Sequence, residues 1–297
     1  MNLTTVSSQF LRAHPLPTHE EKSDKQARGR VLVIAGSVEV PGAALLAGLG
    51  TMRAGAGILQ IATCRSAASH LRMAMPEAMV VGCRETSAGG IDPADSPRLT
   101  ELGTGCDAVL IGPGMMDESA VAELTRELLN RLETPVFVLD ASAFATLEKN
   151  EIPAGRADKI VVTPHSGEMA RFLEMPRDEV DKAPLLAAGQ AAAMLRAVVA
   201  MKGAMTYVVS PEGQAWLCEN GSIGLATSGS GDTLAGILAG LLARGTKPML
   251  ATIWAVYMHG EAGRRLANRI GTLGLLAREI PDEIPHIMQE LSNISVA

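Results

Sequence analysis

The stretch SGSGD at 228–232 sets glycines at 229 and 231 directly before the acid Asp232, and the apolar run 234–243 follows without a lysine. Glycines in such a place let main-chain N–H groups turn toward one point where a helix starts. Unpaired donors at the positive end of a helix dipole form an anion site, which holds a phosphate without a lysine. The same letters also read as an ordinary N-cap before an apolar helix. A cap, however, has no use for an acid that repels the anion its neighbours attract. Asp232 makes sense if it faces the other reactant and accepts a proton from a hydroxyl that attacks the phosphorus. Gly229, Gly231 and Asp232 are therefore the catalytic candidates, with Asp232 expected to stay ionised at the helix end and to be a weak base. Neither GxxxxGK[ST] nor GxGxxG occurs in the chain, which removes the P-loop and the common dinucleotide fingerprint.

Further stretches carry functional groups where α/β sheets gather ligands, beyond the strand ends. GPG at 112–114 is a turn of bare backbone, DAS puts Asp140 at a strand tip, and TPHSGE opens a helix with His165 and Glu168. MKGAMT places Lys202 between strands, in reach of a nucleotide phosphate or simply on an exposed turn. Taken singly, these are a turn, a cap, a hydrogen-bonded histidine and a surface lysine; together they make a coherent edge. His259, beside Gly260, reads as close helix packing and not as chemistry, and His14, His19, His70 and His286 have no partner at a useful spacing. Cys64, Cys83, Cys106 and Cys218 are scattered with no CxxC pair, so no metal cage is expected.

The elements that must position these groups follow from pattern. VLVIAG (31–36), ILQIAT (58–63), AMVVG (78–82), AVLIGPG (108–114), VFVLDA (136–141) and KIVVTP (159–164) read as strands apolar on both faces. Helical stretches lie between them, as parallel crossovers require. The runs around SPEG (210–213) read as an antiparallel hairpin, and helices are expected near 232–244, 249–268 and 273–280. The fold class is therefore α/β, a sandwich on a mainly parallel sheet with an antiparallel edge. Residues 1–27 are expected to form a mobile arm and 28–297 one domain.

A net charge of -6 and a pI near 5.6 leave no broad basic footprint for nucleic acid or an anionic membrane. The run 234–243 is far shorter than the roughly 18–20 residues that span a bilayer, and the first thirty residues hold no apolar signal segment, so a cytoplasmic location is expected.

VLVIAGS with VPGAALLAGLGTMRAGAGILQIAT, AVLIGPG, VTPHSGEMARFL, MKGAMTYV and LATSGSGDTLAGILAGLLARG, in that order, resemble the ADP/ATP-dependent NAD(P)H-hydrate dehydratases of the ribokinase-like superfamily. The resemblance implies a ribokinase-like three-layer α/β/α sandwich and a stand-alone dehydratase without the epimerase sometimes fused to it. It implies hydrated NADH or NADPH as substrate, ADP (or ATP) as co-substrate with Mg²⁺, and AMP and phosphate as by-products. By the same resemblance Ala43, Gly114, His165 and Asp232 contact the hydrated dinucleotide, while Lys202, Gly203, Ala204, Met205, Thr206 and Gly231 contact the nucleotide. The family's habit suggests a symmetric homo-oligomer, such as a tetramer. Val40, Ser142, GSIG (221–224) and AREI (277–280) depart from the family's usual residues. The rival readings are a small-molecule or sugar kinase of the same superfamily, normally carrying a lid that 35–63 has no room for, and a non-catalytic nucleotide-binding protein.

Overall fold

The short β-branched runs from residue 31 to 164 become strands, and the long Ala- and Leu-rich stretches 232–244 and 249–268 become helices. The computed structural model describes residues 3–18, 24–147, 152–153, 155–156 and 158–292. Its strands are β1 (Leu3–Thr5), β2 (Arg30–Ile34), β3 (Ile58–Cys64), β4 (Met79–Cys83), β5 (Ala108–Ile111), β6 (Val136–Leu139), β7 (Ile160–Val162), β8 (Val198–Met201), β9 (Thr206–Val209) and β10 (Ala215–Cys218). They form one sheet in the order β1-β10-β9-β8-β7-β6-β5-β2-β3-β4. Neighbours from β4 to β8 are parallel, and β9 alone runs antiparallel to both of its neighbours.

Strand residues alternate between two cores, as a period of two demands. Val31, Val33, Leu59, Ile61, Leu110 and Val138 face one core; Leu32, Ile34, Val109, Ile111, Phe137 and Leu139 face the other. The first is covered by helices α1 (Ser8–Ala13), α2 (Gly42–Arg53), α3 (Arg65–Ala74), α10 (Ser230–Ala243), α11 (Pro248–Ile270) and α12 (Ile280–Leu291). The second is covered by α4 (Ser96–Gly103), α5 (Glu118–Arg131), α6 (Ser142–Ala145), α7 (Ser166–Leu173), α8 (Arg177–Lys182) and α9 (Pro184–Leu195). The result is a three-layer α/β/α sandwich. The β2–β3 connection holds α2 and no inserted lid among the described residues.

Two expectations are corrected. Residues 3–18 of the segment expected to be a mobile arm are docked: β1 adds in parallel to β10, outside the hairpin, and Leu11 is fully buried. The Trp254 indole donates to the His14 carbonyl at 2.9 Å, and Arg244 donates to the Pro17 carbonyl at 3.3 Å. An open sheet edge and a half-covered core face both need a partner, and residues 3–18 supply it. Residues 19–23, with His19, lie outside the described residues. The helix expected over 273–280 is also displaced: only Ala277–Glu279 forms a 3₁₀ turn, and α12 begins at Ile280. Pro281 in the first turn suits a helix start, whereas Pro285 inside the helix hides the rest of it from pattern reading.

Helices α2 and α10 cross with their backbones almost touching. A Cβ added to Gly236 would lie 2.0 Å from the Ala47 carbonyl oxygen, and one on Gly240 would lie 2.5 Å from that of Thr51. The Thr51 hydroxyl is within bonding distance of Ala47 O (2.9 Å) and Gly236 O (3.1 Å), so it ties the two helices together. Both helices begin at the carboxyl end of the sheet.

Candidate active site

The chain leaves β2 toward β3 on one side and returns to β5 on the other, which opens a crevice at the carboxyl ends of β2 and β5. The loops there are joined by Gly36 N–H donating to Pro113 O at 2.8 Å. Gly114 adopts φ +66°, and a Cβ on it would stand 2.4 Å from the Ala43 Cβ. Ala43 and Gly114 therefore meet at the crevice, and any larger residue at 114 would fill it. Val40 lies on the rim, 38% exposed.

A charged centre sits beyond the next strands. Asp140, 2% exposed at the tip of β6, accepts from the Thr163 hydroxyl at 2.6 Å and from Lys202 Nζ at 2.8 Å. Lys202 follows β8 and is tied by its own N–H to Pro164 O at 2.8 Å, next to His165. Burial alone would lower the Lys202 pKa, but Asp140, then Glu168 and Asp232 around it outweigh that effect and raise it. Lys202 is thus a charged, half-buried group and not a surface turn lysine. A Cβ on Gly231 would lie 3.4 Å from its Nζ, so the phosphate-type loop does have a lysine, brought to it by the fold.

The loop itself has the geometry of an anion site. Gly229 is the N-cap of α10 in the left-handed region, φ 86°, and no side chain caps the helix. A side chain at 229 would also strike Leu46 at 2.4 Å. Ser230 N–H bonds to Thr227 O, while the N–H groups of Gly231 and Asp232 have no acceptor among the described residues. Asp232 stands in this first helical turn, and its pKa is pushed up to about 6, first by burial and then by the charge of Asp140, with Lys202 opposing. The expectation of a weak base is corrected here: desolvation outweighs the helix end, and Asp232 is a substantially stronger base that is still ionised at neutral pH.

His165 caps α7: its Nδ1 accepts from the N–H of Gly167 (3.0 Å) and Glu168 (3.2 Å), while the Glu168 carboxylate accepts from His165 N–H at 2.8 Å. An acceptor at Nδ1 leaves the proton on Nε2 of a ring whose side chain is 57% exposed. Gly203, Ala204 and Met205 form the exposed turn between β8 and β9, where Thr206 begins the strand. An open groove of about 640 Å³ beside Glu118 and Arg171 contains none of these residues.

A family model described as NAD(P)H-hydrate dehydratase matches residues 31–286. The chain belongs to this family. An ADP-dependent (S)-NAD(P)H-hydrate dehydratase of Xanthomonas campestris is 45% identical over 97% of this chain and 96% of its own length. The ADP/ATP-dependent NAD(P)H-hydrate dehydratase of Bacillus subtilis, crystallised with ATP and Mg²⁺, superposes with a TM-score of 0.84 at 31% identity, covering 98% of this chain and 99% of that one. A ribokinase-like superfamily protein of Enterococcus faecalis also gives 0.84, at 27% identity over 98% and 97% of the two chains.

Within this NAD(P)H-hydrate dehydratase family member, the departures noted in the sequence have local roles. The Ser142 hydroxyl donates to Met115 O at 2.8 Å, Ser222 caps Gly224 N–H at 3.3 Å, and Ala277 packs against the position of Gly229. Asp140 was legible as a strand-tip acid or a cap, and its pairing with Lys202 has no local signal. Ala141 beside it takes φ 48°, ψ -125°, a strained conformation for a residue with a Cβ. His259, read as packing, has its Nε2 3.0 Å from both the Ser230 hydroxyl and the Ser230 carbonyl oxygen.

Proposed function

We propose that this chain restores hydrated NADH and NADPH by an ADP-dependent dehydration in which Asp232 is the base and the Gly229–Gly231 loop holds the moving phosphoryl group. Hydroxide is a poor leaving group, so the ring hydroxyl is first converted into a phosphate ester. Asp232 takes the hydroxyl proton, the oxygen bonds to the β-phosphorus of ADP, and the bond from that phosphorus to the bridging oxygen breaks to release AMP. The ring nitrogen's electron pair then expels phosphate, and loss of a proton from the adjacent ring carbon regenerates the dihydropyridine.

The observation that carries this reading is the raised carboxyl of Asp232 beside two unclaimed N–H donors and the charged Lys202. Those donors and Lys202 stabilise charge on the phosphoryl group, and the turn from Lys202 to Thr206 receives the rest of the nucleotide. Ala43, Gly114 and His165 contact the hydrated dinucleotide, with His165 offering Nε2–H. Among the described residues no group of three acidic, His or Cys side chains forms a metal cage, so the site fits Mg²⁺ carried on the nucleotide phosphates, where it would offset their charge. We place the catalytic unit at 28–297, in the cytoplasm and in a symmetric homo-oligomer; no helix among the described residues is long and apolar enough to cross a membrane.

The test is to mix the protein with hydrated NADH and either ADP or ATP, and separately with ATP and a sugar panel. Recovery of NADH absorbance with stoichiometric phosphate is expected. A phosphorylated sugar would favour the kinase reading, and nucleotide binding without turnover the non-catalytic one.

A further inference from the structure

Helix α10 starts without a side-chain cap, on a glycine, with a second glycine as its second residue. Such a start is intrinsically soft, yet the proposed chemistry needs its N–H groups to converge on one phosphorus. Besides the local bonds of Ser230 N–H to Thr227 O and of the Thr233 hydroxyl to Gly229 O, a contact that holds it comes from α11. His259 Nε2 lies 3.0 Å from Ser230 O and 3.0 Å from Ser230 Oγ. A carbonyl oxygen only accepts, so Nε2 carries the proton and gives it to the carbonyl, with the hydroxyl as a second acceptor. The Ser230 hydroxyl keeps its own hydrogen, and no other described residue takes it.

The histidine is itself held. Gly260, the next residue, lies against Asn220, whose amide donates to Tyr257 O at 2.9 Å, so this turn of α11 is clamped on its other side. Burial, with Lys202 nearby, pushes the His259 pKa down to about 4, against the hydrogen bond to Ser230. The ring is neutral and remains a single-proton donor throughout the neutral range.

We propose that His259 is a positioning residue for the phosphate-binding loop: its Nε2–H, delivered from α11, fixes the Ser230 peptide and hydroxyl so that the N–H groups of Gly231 and Asp232 converge on the phosphoryl group. This rests on the reading of that loop given above.

The experiment compares His259→Leu, His259→Gln and His259→Asn with Asp232→Asn as a reference, each corrected for its folded fraction. Gln places an amide N–H near the position of Nε2, Asn stops short of it, and Leu has no donor. Loss of one buried hydrogen bond at the loop is expected to raise KM for ADP about tenfold in the Leu and Asn variants, with Gln restoring it to within about threefold and KM for hydrated NADH unchanged in all three. If Leu does not accumulate as folded protein, Asn carries the comparison. Wild-type KM for ADP in Leu or Asn, or equal impairment in Gln, overturns the proposal, because a purely structural histidine changes the amount of active enzyme and not this pattern. Near-normal turnover of Asp232→Asn would instead remove the mechanism on which the proposal rests.

Discussion

Replacing Asp232 by Asn should make the protein more stable while nearly abolishing its turnover. The carboxyl is shifted from 3.8 to about 6, so ionised Asp232 is less favourable in the folded chain than in the unfolded one. At about 1.4 kcal/mol per pKa unit, the shift corresponds to roughly 3 kcal/mol at neutral pH, an upper bound because Asn gives up the attraction of Lys202. A gain of about 1–3 kcal/mol translates into a Tm rise of about 2–5 °C for a chain of this size. The sign fixes the pH window: the stability linked to protonated Asp232 is fully present below 3.8 and lost as pH rises through 6, so the gain from Asn should appear above pH 6 and vanish below pH 4. Turnover should fall at least about a hundredfold, the low end for removal of a general base, while ADP binds no more weakly. Scanning calorimetry at pH 4 and pH 8, alongside NADH recovery, reads both effects. A variant that is inactive but less stable at pH 8 would refute the idea that burial has tuned Asp232, and an active one would refute its role as base.

Asp140→Asn removes a carboxylate that raises Asp232, so the acid limb of kcat/KM, expected near pH 6, should move to lower pH, while KM for ADP rises as Lys202 loses its anchor; a pH–rate profile with an ADP titration checks both. Gly236→Ala drives a methyl into the Ala47 carbonyl and should cost more than about 3 kcal/mol, beyond ordinary overpacking, as measured by urea denaturation. Trp254→Phe loses the bond to His14 and should destabilise by about 1 kcal/mol with activity intact, with earlier proteolytic cleavage within residues 3–18 as the sign that this segment has been released.

What was legible in the sequence was local. The glycine loop, the strands and the β9–β10 hairpin each declare themselves within a dozen residues through φ requirements, short continuous apolar runs or turn chemistry. The charged centre does not, because Asp140, Thr163 and Lys202 come from the tips of three different strands and meet only when the sheet is assembled. Helix-end reasoning gave Asp232 the wrong strength for the same reason: desolvation and the charge of Asp140 belong to the packed site, not to α10. His259 shows the limit of a neighbour-based reading, since Gly260 does mark close packing but gives no hint that the ring reaches into another helix start. The docked residues 3–18 escaped because a three-residue strand and a six-residue helix carry too little periodicity to register.

The near-contact of α2 and α10 has a consequence for how two reactants are brought to bear on each other. Gly229–Asp232 open one helix, Ala43 lies at the opening of the other, and the two are bolted together by main chain a few turns away. With the roles proposed above for Ala43 and Gly229–Asp232, the span between a bound alcohol and a bound phosphorus would be gauged by peptide geometry more than by flexible side chains. A frame of this kind keeps its reach while residues at its mouth vary, so divergence at a rim position such as Val40 would retune which molecules enter without altering where they react.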